Sequence, residues 1–474
     1  MGMRNLCLVW LGMSCCSMYG WGAEKGQPNI VLMMSDDQGW GDVGYNGHKE
    51  LKTPVLDEMA RTGLRFDQFY AAAPVCSPTR GSVLTGRHPN RFGCFSWGYT
   101  LRPQEVTIGE GLLGVGYRTG HFGKWHLGPL TGNSTISPSA KGFEEWLSSP
   151  NFYENNPWMS HKGKPVQVQG ESSMVAVDAA IQLIREAVKQ EKPFFTVVWF
   201  GSPHAPYVAA EDELGLYQGL EVSQQAKHYY GEITGIDRAV GKLRKELRDL
   251  KVAENTLVWY TSDNGAMGPG STGGLSGKKG TLWEGGIRVP CIIEWPAVIK
   301  QPRTTPMACS TVDILPTLFD LVGVELPTRP LDGMSLKPLL DGELKQRSKP
   351  LGFWVYPTAG HPVRSTEILK AMASSLEAGV EKDTHFPADP GSLAKQYDTT
   401  QLPGHAAWLD APYKLHRIPE GKEFKYQLFD LSQDVQEKKD ISETEGKRLE
   451  KMKQELEEWQ KSVVNSLNGV DYAK

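Results

Sequence analysis

Short apolar runs alternate with helical patterns over the first two thirds of this sequence, and that alternation restricts the fold more than any other feature. The runs are rich in β-branched and aromatic residues and lie at residues 30–34, 64–70, 117–122, 194–200, 256–261 and 291–295. Strands of a parallel sheet are apolar throughout because both faces are covered, and each crossover between them needs a helix. The sequence therefore predicts an α/β fold in which a large mixed, mostly parallel sheet is sandwiched by helices.

Two helical patterns fit such crossovers. Within residues 173–189, apolar residues recur at spacings of four, three and four. These spacings put on one face of a helix the side chains of Val177, Ile181, Ile184 and Val188. A second helix is expected over residues 226–249. Residues 265–286 are instead dense in glycine and interrupted by proline, which is typical of a functional loop.

The pattern changes after residue 345. Residues 358–405 have no clear period and are expected to be irregular, whereas residues 443–463 predict a charged terminal helix. Short antiparallel strands are predicted at residues 351–356, 413–418 and 426–431. A chain of 474 residues exceeds the size of one core. We therefore predict a large domain over residues 24–345 and a small C-terminal α+β domain with an antiparallel sheet over residues 346–474.

Composition and the first residues limit the partners and the compartment. A net charge of −4 excludes a strongly basic nucleic-acid-binding protein. A basic residue, an apolar stretch over residues 6–16 and small residues up to Ala23 predict a signal peptide at residues 1–23. The protein is then secreted or periplasmic, or lysosomal or extracellular in a eukaryote. No segment is long and apolar enough for a membrane span. The alternative for the leader is a lipoprotein site, at Cys15 or Cys16.

Four cysteines follow the leader: Cys76, Cys94, Cys291 and Cys309. Four cysteines in an exported protein are typical of two disulfides. Because Cys76 lies in a motif that gives it another fate, we predict a pair between Cys291 and Cys309.

Two predicted strands end in nearly the same way. Residues 30–34 run into Ser35-Asp36-Asp37, and residues 256–261 run into Ser262-Asp263-Asn264. The carboxyl ends of parallel strands share one edge of the sheet, where open α/β folds bind their ligands. Three carboxylates and an amide oxygen should therefore converge, and this set of hard oxygen ligands suits Ca²⁺ or Mg²⁺ better than Zn²⁺.

Other chemical residues are expected at the same edge. Cys76 should begin a helix that runs to about Thr85, where the helix dipole favours an anion. A buried or disulfide-bonded cysteine and a thiolate nucleophile of low pKa are the alternatives. Further strands and the glycine-rich loop should deliver cationic or titratable groups, namely Lys124, His126, His204 and Lys279. A metal beside several cations suits a sulfate or phosphate ester, and these residues alone do not choose between the two.

Two motifs resemble the signatures of a known family. Cys76-Ser77-Pro78-Thr79-Arg80, followed by Leu84-Thr85-Gly86-Arg87, resembles the sulfatase signature. Residues 116–126 resemble the second signature, although Phe122 stands where a small or β-branched residue is usual. The chain is thus similar to the formylglycine-dependent calcium sulfatases of the alkaline phosphatase superfamily, in the branch of the arylsulfatases and N-acetylgalactosamine-6-sulfatases. An alkaline-phosphatase-like fold is implied.

The resemblance implies cofactors and roles. A formylglycine-generating enzyme or an anaerobic sulfatase-maturing enzyme would oxidise Cys76 to formylglycine, whose hydrate supplies the nucleophile. One Ca²⁺ ion would be bound by Asp36, Asp37, Cys76, Asp263 and Asn264. Arg80 would hold this site together, Lys124 and Lys279 would neutralise the sulfate oxygens, His126 would act as the base, and His204 would protonate the leaving oxygen. Lys278 is the alternative to Lys279.

The implied substrate is a sulfated carbohydrate. Aromatic, amide and cationic side chains suit sugar rings and second anions, and the candidates are Trp97, Tyr99, Arg102, Asn151, Tyr153, His161, Tyr207, Trp354, His361 and Arg364. A phosphoester or phosphonate monoester hydrolase of the same superfamily is the first alternative. A non-catalytic protein that binds sulfated glycans is the second.

Overall fold

The computed structural model describes residues 27–379, 393 and 395–472. The predicted signal peptide and the alternative lipoprotein cysteines lie outside these residues. Across the described part of the chain, no helix combines the length and the apolar character that crossing a membrane requires.

The chain forms seventeen strands and eleven α-helices within the described residues. The strands are β1 Asn29–Ser35, β2 Leu64–Phe66, β3 Phe69–Tyr70, β4 Arg118–Lys124, β5 Glu145–Ser149, β6 Trp158–His161, β7 Lys164–Gln167, β8 Phe194–Trp199, β9 Thr256–Ser262, β10 Arg288–Val289, β11 Cys291–Glu294, β12 Arg303–Thr305, β13 Cys309–Ser310, β14 Leu351–Trp354, β15 Ala406–Asp410, β16 Tyr413–Glu420 and β17 Glu423–Asp430. The helices are α1 Pro54–Thr62, α2 Cys76–Thr85, α3 Ile108–Gly114, α4 Ser172–Lys189, α5 Glu211–Gly215, α6 Gln224–Asp249, α7 Glu284–Ile287, α8 Ile314–Val322, α9 Lys337–Leu340, α10 Ser365–Glu377 and α11 Gly446–Leu467.

The main sheet has ten strands in the order β12-β2-β11-β9-β1-β8-β4-β5-β6-β7. The centre, from β9 to β5, is parallel, whereas β11, β6 and β7 pair antiparallel with their neighbours. Successive residues of β1 point to opposite faces, so Ile30 and Leu32 pack with α2, α3 and α8, while Val31 and Met33 pack with α1, α4 and α6. The predicted mixed, mostly parallel sheet between helical layers is confirmed.

A separate antiparallel sheet of four strands, in the order β14-β15-β16-β17, follows in the chain. One face packs on α11 through Leu415, Leu456 and Val463. The other face packs on Leu282 and Ile287, which flank the end of the glycine-rich loop. The predicted C-terminal antiparallel sheet is confirmed, and the division at residue 345 stays a prediction.

Two expectations from the sequence are wrong, and one strand was not predicted. Residues 64–70 form two strands instead of one, and β3 joins a small sheet with β10 and β13. The segment predicted to be irregular contains α10, whose buried Leu369 and Met372 lie one turn apart and which packs against β6 and β7. Strand β15 begins directly after that segment and was not predicted, because its residues show no alternation of buried and exposed positions.

The predicted disulfide is absent. Cys291 and Cys309, like Cys76 and Cys94, are free and buried. Cys291 lies on β11 of the main sheet, where its sulfur accepts a hydrogen bond from Trp259 Nε1 at 3.2 Å, and Cys309 lies on β13 of the small sheet. The two cysteines are therefore held in separate sheets as buried apolar residues.

Candidate active site

The ends of β1 and β9 lie side by side. Ser35 pairs in register with Ser262, so the next residues of both strands leave the sheet at the same point. Asp263 N donates to Ser35 O at 3.2 Å, and Asp37 N donates to Asp263 Oδ1 at 3.1 Å. Asp37 has φ 70°, a left-handed conformation that turns its side chain back toward this edge. All three carboxylates and the Asn264 amide are buried.

Cys76 is the first residue of α2 and is buried among charged groups. Its sulfur lies 3.6 Å from Asp36 Oδ1 and 3.4 Å from Lys279 Nζ. Burial raises the pKa of Cys76 to about 12, against the opposing effect of Lys124 and Lys279. The unmodified residue is therefore a neutral thiol near pH 7, so the structure does not favour the thiolate alternative.

Arg80, one turn into α2, connects the helix to the strand ends. Its Nε and Nη2 donate to Asp263 Oδ2 at 3.1 and 2.7 Å, and its Nη1 donates to the Lys124 carbonyl at 3.2 Å. The guanidinium also lies 5.2 Å from the ring centre of Trp199, on β8. Side-chain exposure is 0% for both Arg80 and Asp263, so this fork is a fixed part of the site.

Two lysines hold the remaining carboxylates. Lys124 Nζ donates to Asp36 Oδ2 at 2.6 Å, and Lys279 Nζ donates to Asp37 Oδ1 at 2.6 Å. With Arg80 and Asp263, three cations face three carboxylates, so the protein groups alone are electrically balanced. A divalent cation would give the site a surplus of two positive charges, which suits an anionic ester.

The two histidines differ in their hydrogen bonds. His204 Nδ1 lies 2.6 Å from the Ala205 carbonyl, which can only accept, so Nδ1 carries the hydrogen and Nε2 faces Asp37 Oδ2 at 3.7 Å. His126 has φ 55°, and neither of its ring nitrogens has a hydrogen-bond partner among the described residues. Burial, followed by the neighbouring Lys124 and Arg80, holds the pKa of His126 well below its usual value, so the ring is a neutral proton acceptor.

The donor set fits a hard cation. Single ligand atoms of four residues lie within 4.8 Å of one another, those of Asp36, Asp37, Cys76 and His204. Asp37 Oδ2 and Asn264 Oδ1 are buried without a hydrogen-bond partner in the described chain. Such orphaned oxygens are costly unless they bind something. Asp263 is the predicted ligand with the least freedom here, because Asp37 N and Arg80 already occupy its two oxygens.

A cavity of about 910 Å³ opens above these groups. Its floor includes Cys76, His126, His204 and Lys279. One wall is formed by residues 151–158, which supply aromatic and amide side chains, and the facing wall by residues 362–367 with Lys370 of α10. Trp97 and Met267 stand at the rim with exposed fractions of 37% and 43%. The cavity is large enough for more than one sugar ring.

The geometry can be compared with known proteins. The sulfatase family model matches residues 28–324. N-acetylgalactosamine-6-sulfatase of Sus scrofa is 36% identical over 361 residues, which cover 68% of this chain and 67% of that protein. Arylsulfatase A of Homo sapiens is 35% identical over 420 residues, with 79% and 80% covered. The chain belongs to the sulfatase family. This sulfatase is accordingly a sulfuric ester hydrolase.

Solved structures agree on the fold of the sulfatase. The crystal structure of Ps i-CgsB in complex with k-i-k-neocarrahexaose matches with a TM-score of 0.77 at 23% identity. The match covers 94% of this chain and 97% of that one, so it includes both the ten-stranded sheet and the small C-terminal sheet.

The predicted substrate residues of this sulfatase divide into two groups. Four line the cavity: Trp97, Asn151, Tyr153 and Arg364. Six do not line it: Tyr99, Arg102, His161, Tyr207, Trp354 and His361. Trp354 is buried on β14, where its Nε1 donates to the Pro403 carbonyl at 2.7 Å, and Arg102 donates to the Leu467 carbonyl at 2.8 Å. Both side chains are thus engaged by residues of the C-terminal region.

The remaining four also have other partners. His161 is exposed on β6 and pairs with Glu145 at 2.6 Å. The Tyr99 hydroxyl bonds Thr358 Oγ1 at 3.0 Å, and the ring of Tyr99 lies 4.8 Å from that of His361. Tyr207 stands behind the rim, edge-on to Tyr229 at 5.4 Å.

Sequence reasoning missed several cavity residues of the sulfatase. Phe152 stacks on His204, with ring centres 4.2 Å apart and planes at 14°. Trp158 and Lys370 also line the cavity. Phe152 lies next to the predicted Asn151 at the end of β5, on the same sheet edge, and that position was the available signal. Lys370 gave no signal, because its helix lies in the segment expected to be irregular.

Proposed function

We propose that this sulfatase hydrolyses sulfate esters of carbohydrates with a formylglycine made from Cys76 and one Ca²⁺ ion. The observation that carries the proposal is the convergence of Cys76, Asp36 and Asp37 with two lysines under one cavity. Asp36, Asp37, Asp263 and Asn264, with residue 76, would hold the ion. When present, Ca²⁺ supplies positive charge and the formylglycine supplies the nucleophilic oxygen.

The residues of the chain then take distinct roles. Lys124 and Lys279 hold the sulfate oxygens, because each can exchange its carboxylate partner for the anionic ester. Neutral His126 takes up a proton beside residue 76. In its protonated form, His204 donates the Nε2 proton to the leaving oxygen, while its Nδ1–H stays on the Ala205 carbonyl. Arg80 keeps Asp263 in place.

The substrate class rests on the cavity and on the relatives. One relative is named for N-acetylgalactosamine 6-sulfate, and the similar fold was crystallised with a neocarrahexaose. The cavity lining supports the same class here, because aromatic rings such as Trp97 and Tyr153 can stack on sugars and Asn151 can bond hydroxyls. We also propose that the predicted signal peptide exports the protein and that a dedicated enzyme matures Cys76.

The test uses enzyme co-expressed with a formylglycine-generating enzyme. Hydrolysis is measured with 4-nitrophenyl sulfate, 4-nitrophenyl phosphate and N-acetylgalactosamine 6-sulfate, and Cys76→Ala serves as the matched inactive control. We expect both sulfates to be hydrolysed and the phosphate to stay at the level of Cys76→Ala. Faster hydrolysis of the phosphate would instead support the phosphoesterase alternative.

A further inference from the structure

A buried polar cluster lies behind the glycine-rich loop that carries Lys279. It consists of Glu284, the first residue of α7, Lys414 and His416 on β16, and Glu437 beyond β17, and we call it the loop clamp. Lys414 Nζ donates to Glu284 Oε1 at 2.8 Å and lies 2.9 Å from Glu437 Oε1. All four side chains are buried. The catalytic part of the chain and the C-terminal sheet thus share one network of ion pairs.

Glu437 grips the backbone of the loop as well as Lys414. Its Oε2 accepts the Glu284 N–H at 2.6 Å, and its Oε1 lies 2.7 Å from His416 Nε2. Glu437 has φ 55°, a backbone conformation that residues other than glycine rarely adopt. A strained backbone at a residue that makes three polar contacts indicates a specific positioning task.

Two further contacts tie the same loop to the C-terminal region. Ser276 Oγ donates to the Gln436 carbonyl at 2.5 Å. The ring of Trp283 stacks on His416, with centres 4.3 Å apart and planes at 24°. The segment from Ser276 to Glu284 is therefore held at both of its ends by residues of the loop clamp or their neighbours.

Lys279 lies inside this held segment. Its N–H donates to the Ala266 carbonyl at 3.1 Å, and the next residue, Gly280, donates to the Pro74 carbonyl at 2.9 Å. Its ammonium reaches Asp37 and Cys76 from there. A shift of the segment would therefore move the ammonium relative to residue 76, because these backbone bonds and the contacts of Ser276, Trp283 and Glu284 together set the position of Lys279.

The charges of the loop clamp balance. Glu284 and Glu437 are opposed by Lys414 and by Arg288, whose Nη1 lies 3.4 Å from Glu284 Oε2. Tyr70 OH donates to the same Glu284 oxygen at 3.0 Å. Burial alone would lower the pKa of Lys414, but the two carboxylates outweigh that effect and raise it. Lys414 therefore stays charged at neutral pH.

From these contacts we infer that Glu437 and Lys414 are positioning residues for the sulfatase reaction, which hold the loop so that Lys279 meets the sulfate group. The inference rests on the proposed role of Lys279. It assigns to the C-terminal sheet an indirect part in catalysis, because the sheet sets the position of a group in the active site.

A double-mutant cycle tests the inference in matured, full-length enzyme with 4-nitrophenyl sulfate. Glu437→Gln keeps the side-chain shape and weakens the clamp, and we expect kcat to fall about 10- to 100-fold, the cost of a small misplacement. In a Lys279→Ala background, the same change should lower kcat by no more than about 2-fold, because the group being positioned is gone. Arg244→Met removes a partly buried ion pair between α6 and β11, outside the loop, and should leave kcat unchanged.

Amide hydrogen exchange of the unmatured protein gives a readout independent of activity. Peptides that cover residues 274–286 should exchange faster in Glu437→Gln and unchanged in Arg244→Met. If Glu437→Gln does not fold, Ser276→Ala replaces it in the same cycle and in the exchange measurement. This substitution removes the hydrogen bond from the loop to the Gln436 carbonyl.

The outcomes separate the two claims. A fall in kcat that disappears in the Lys279→Ala background supports the clamp. Unchanged kcat in Glu437→Gln, or an equal loss in both backgrounds, overturns the clamp and leaves the proposed function intact. Unchanged kcat in Lys279→Ala itself contradicts the proposed role of Lys279 and overturns the clamp with it.

Discussion

His204 is the side chain whose chemistry depends most clearly on the leaving group. Its ring stacks on Phe152, its Nδ1–H is fixed on Ala205, and its Nε2 is left to carry the transferred proton. A sugar alkoxide needs that proton and 4-nitrophenolate does not. We expect His204→Gln to lower kcat about 10²- to 10⁴-fold with a sulfated sugar and far less with 4-nitrophenyl sulfate.

The comparison has a matched control on the surface. His161→Gln changes an exposed histidine on β6 and should leave both rates unchanged. Burial, opposed by Asp37 and reinforced by Lys124, lowers the pKa of His204 to about 4. A proton donor is active in its protonated form, so kcat/KM for the sugar should fall as pH rises above this value. Equal losses with both substrates would contradict the assignment of His204 as the acid.

Arg80 illustrates a residue that its nearest chemical relative cannot replace. A lysine has one ammonium and cannot donate to Asp263 and to the Lys124 carbonyl in the fork geometry of Arg80. Arg80→Lys should lower the free energy of unfolding by about 1–3 kcal/mol, because buried acceptors lose their donors. Urea denaturation measures the change.

The matched control for Arg80 is Arg185. Its Nε and Nη2 hold Glu246 in the same two-pronged way, at 2.8 and 2.9 Å, but on the protein surface. Arg185→Lys should not move the urea midpoint, because solvent screens the pair. Equal shifts for the two variants would show that burial is not the reason for the importance of Arg80.

At the level of elements, the glycine-rich loop has little free volume. A Cβ at Gly285 would lie 2.4 Å from the Gly277 carbonyl oxygen, which belongs to the backbone and cannot rotate away. We expect Gly285→Ala to displace the loop, to lower kcat at least about 10-fold, and to cost about 1–3 kcal/mol of stability, as overpacking does. Steady-state kinetics and thermal unfolding measure the two effects.

Gly219→Ala is the control, because a Cβ there meets nothing within 4 Å. It should change neither kcat nor the unfolding temperature. If Gly285→Ala behaves like this control, the loop is looser than its contacts indicate.

An element could be predicted from the sequence when its own apolar residues are contiguous or recur at a regular spacing. Strands β1, β4, β8, β9 and β11 and helices α4 and α6 were predicted to within a few residues, because their buried residues are contiguous or lie on one helix face. The break between β2 and β3 was missed, because Arg65 and Asp67 are single polar residues that do not by themselves mark the end of a strand. The assignment of the two strands to different sheets depends on tertiary packing. Strand β15 was missed although it forms a hairpin with β16, because its residues, Ala406–Asp410, show no alternation of buried and exposed positions.

The same distinction holds for the candidate site. Residues that follow strand ends or lie in contiguous motifs, such as Cys76, Lys124 and Asp263, were placed together by reasoning about one sheet edge. The cavity walls were harder to predict. Phe152 and Lys370 reach the cavity through packing between the main sheet and α10, and no local pattern specifies that packing.

For the whole molecule, metal removal should be measurable as lost stability. A bound ion that only the folded state holds contributes about 2.7 kcal/mol at a free concentration 100 times its Kd. Because the site contains three buried carboxylates, chelation by EGTA should lower the unfolding temperature, and added Ca²⁺ should restore it.

The control for chelation is Asp37→Asn, which removes one carboxylate while keeping the side-chain shape. Its unfolding temperature should respond much less to EGTA and Ca²⁺. A calcium site would be contradicted if chelation left the unfolding temperature of the protein with Asp37 unchanged. It would also be contradicted if Zn²⁺ but not Ca²⁺ restored that temperature.

The mass of the tryptic peptide that contains residue 76 tests the central claim most directly. This peptide covers residues 66–80 and is taken from protein co-expressed with a formylglycine-generating enzyme, with Cys76→Ala as the reference. The account predicts a mass about 18 Da below that of the cysteine form, the change that conversion to formylglycine produces. An unmodified thiol at residue 76, in cells that mature another sulfatase at the same time, would contradict it.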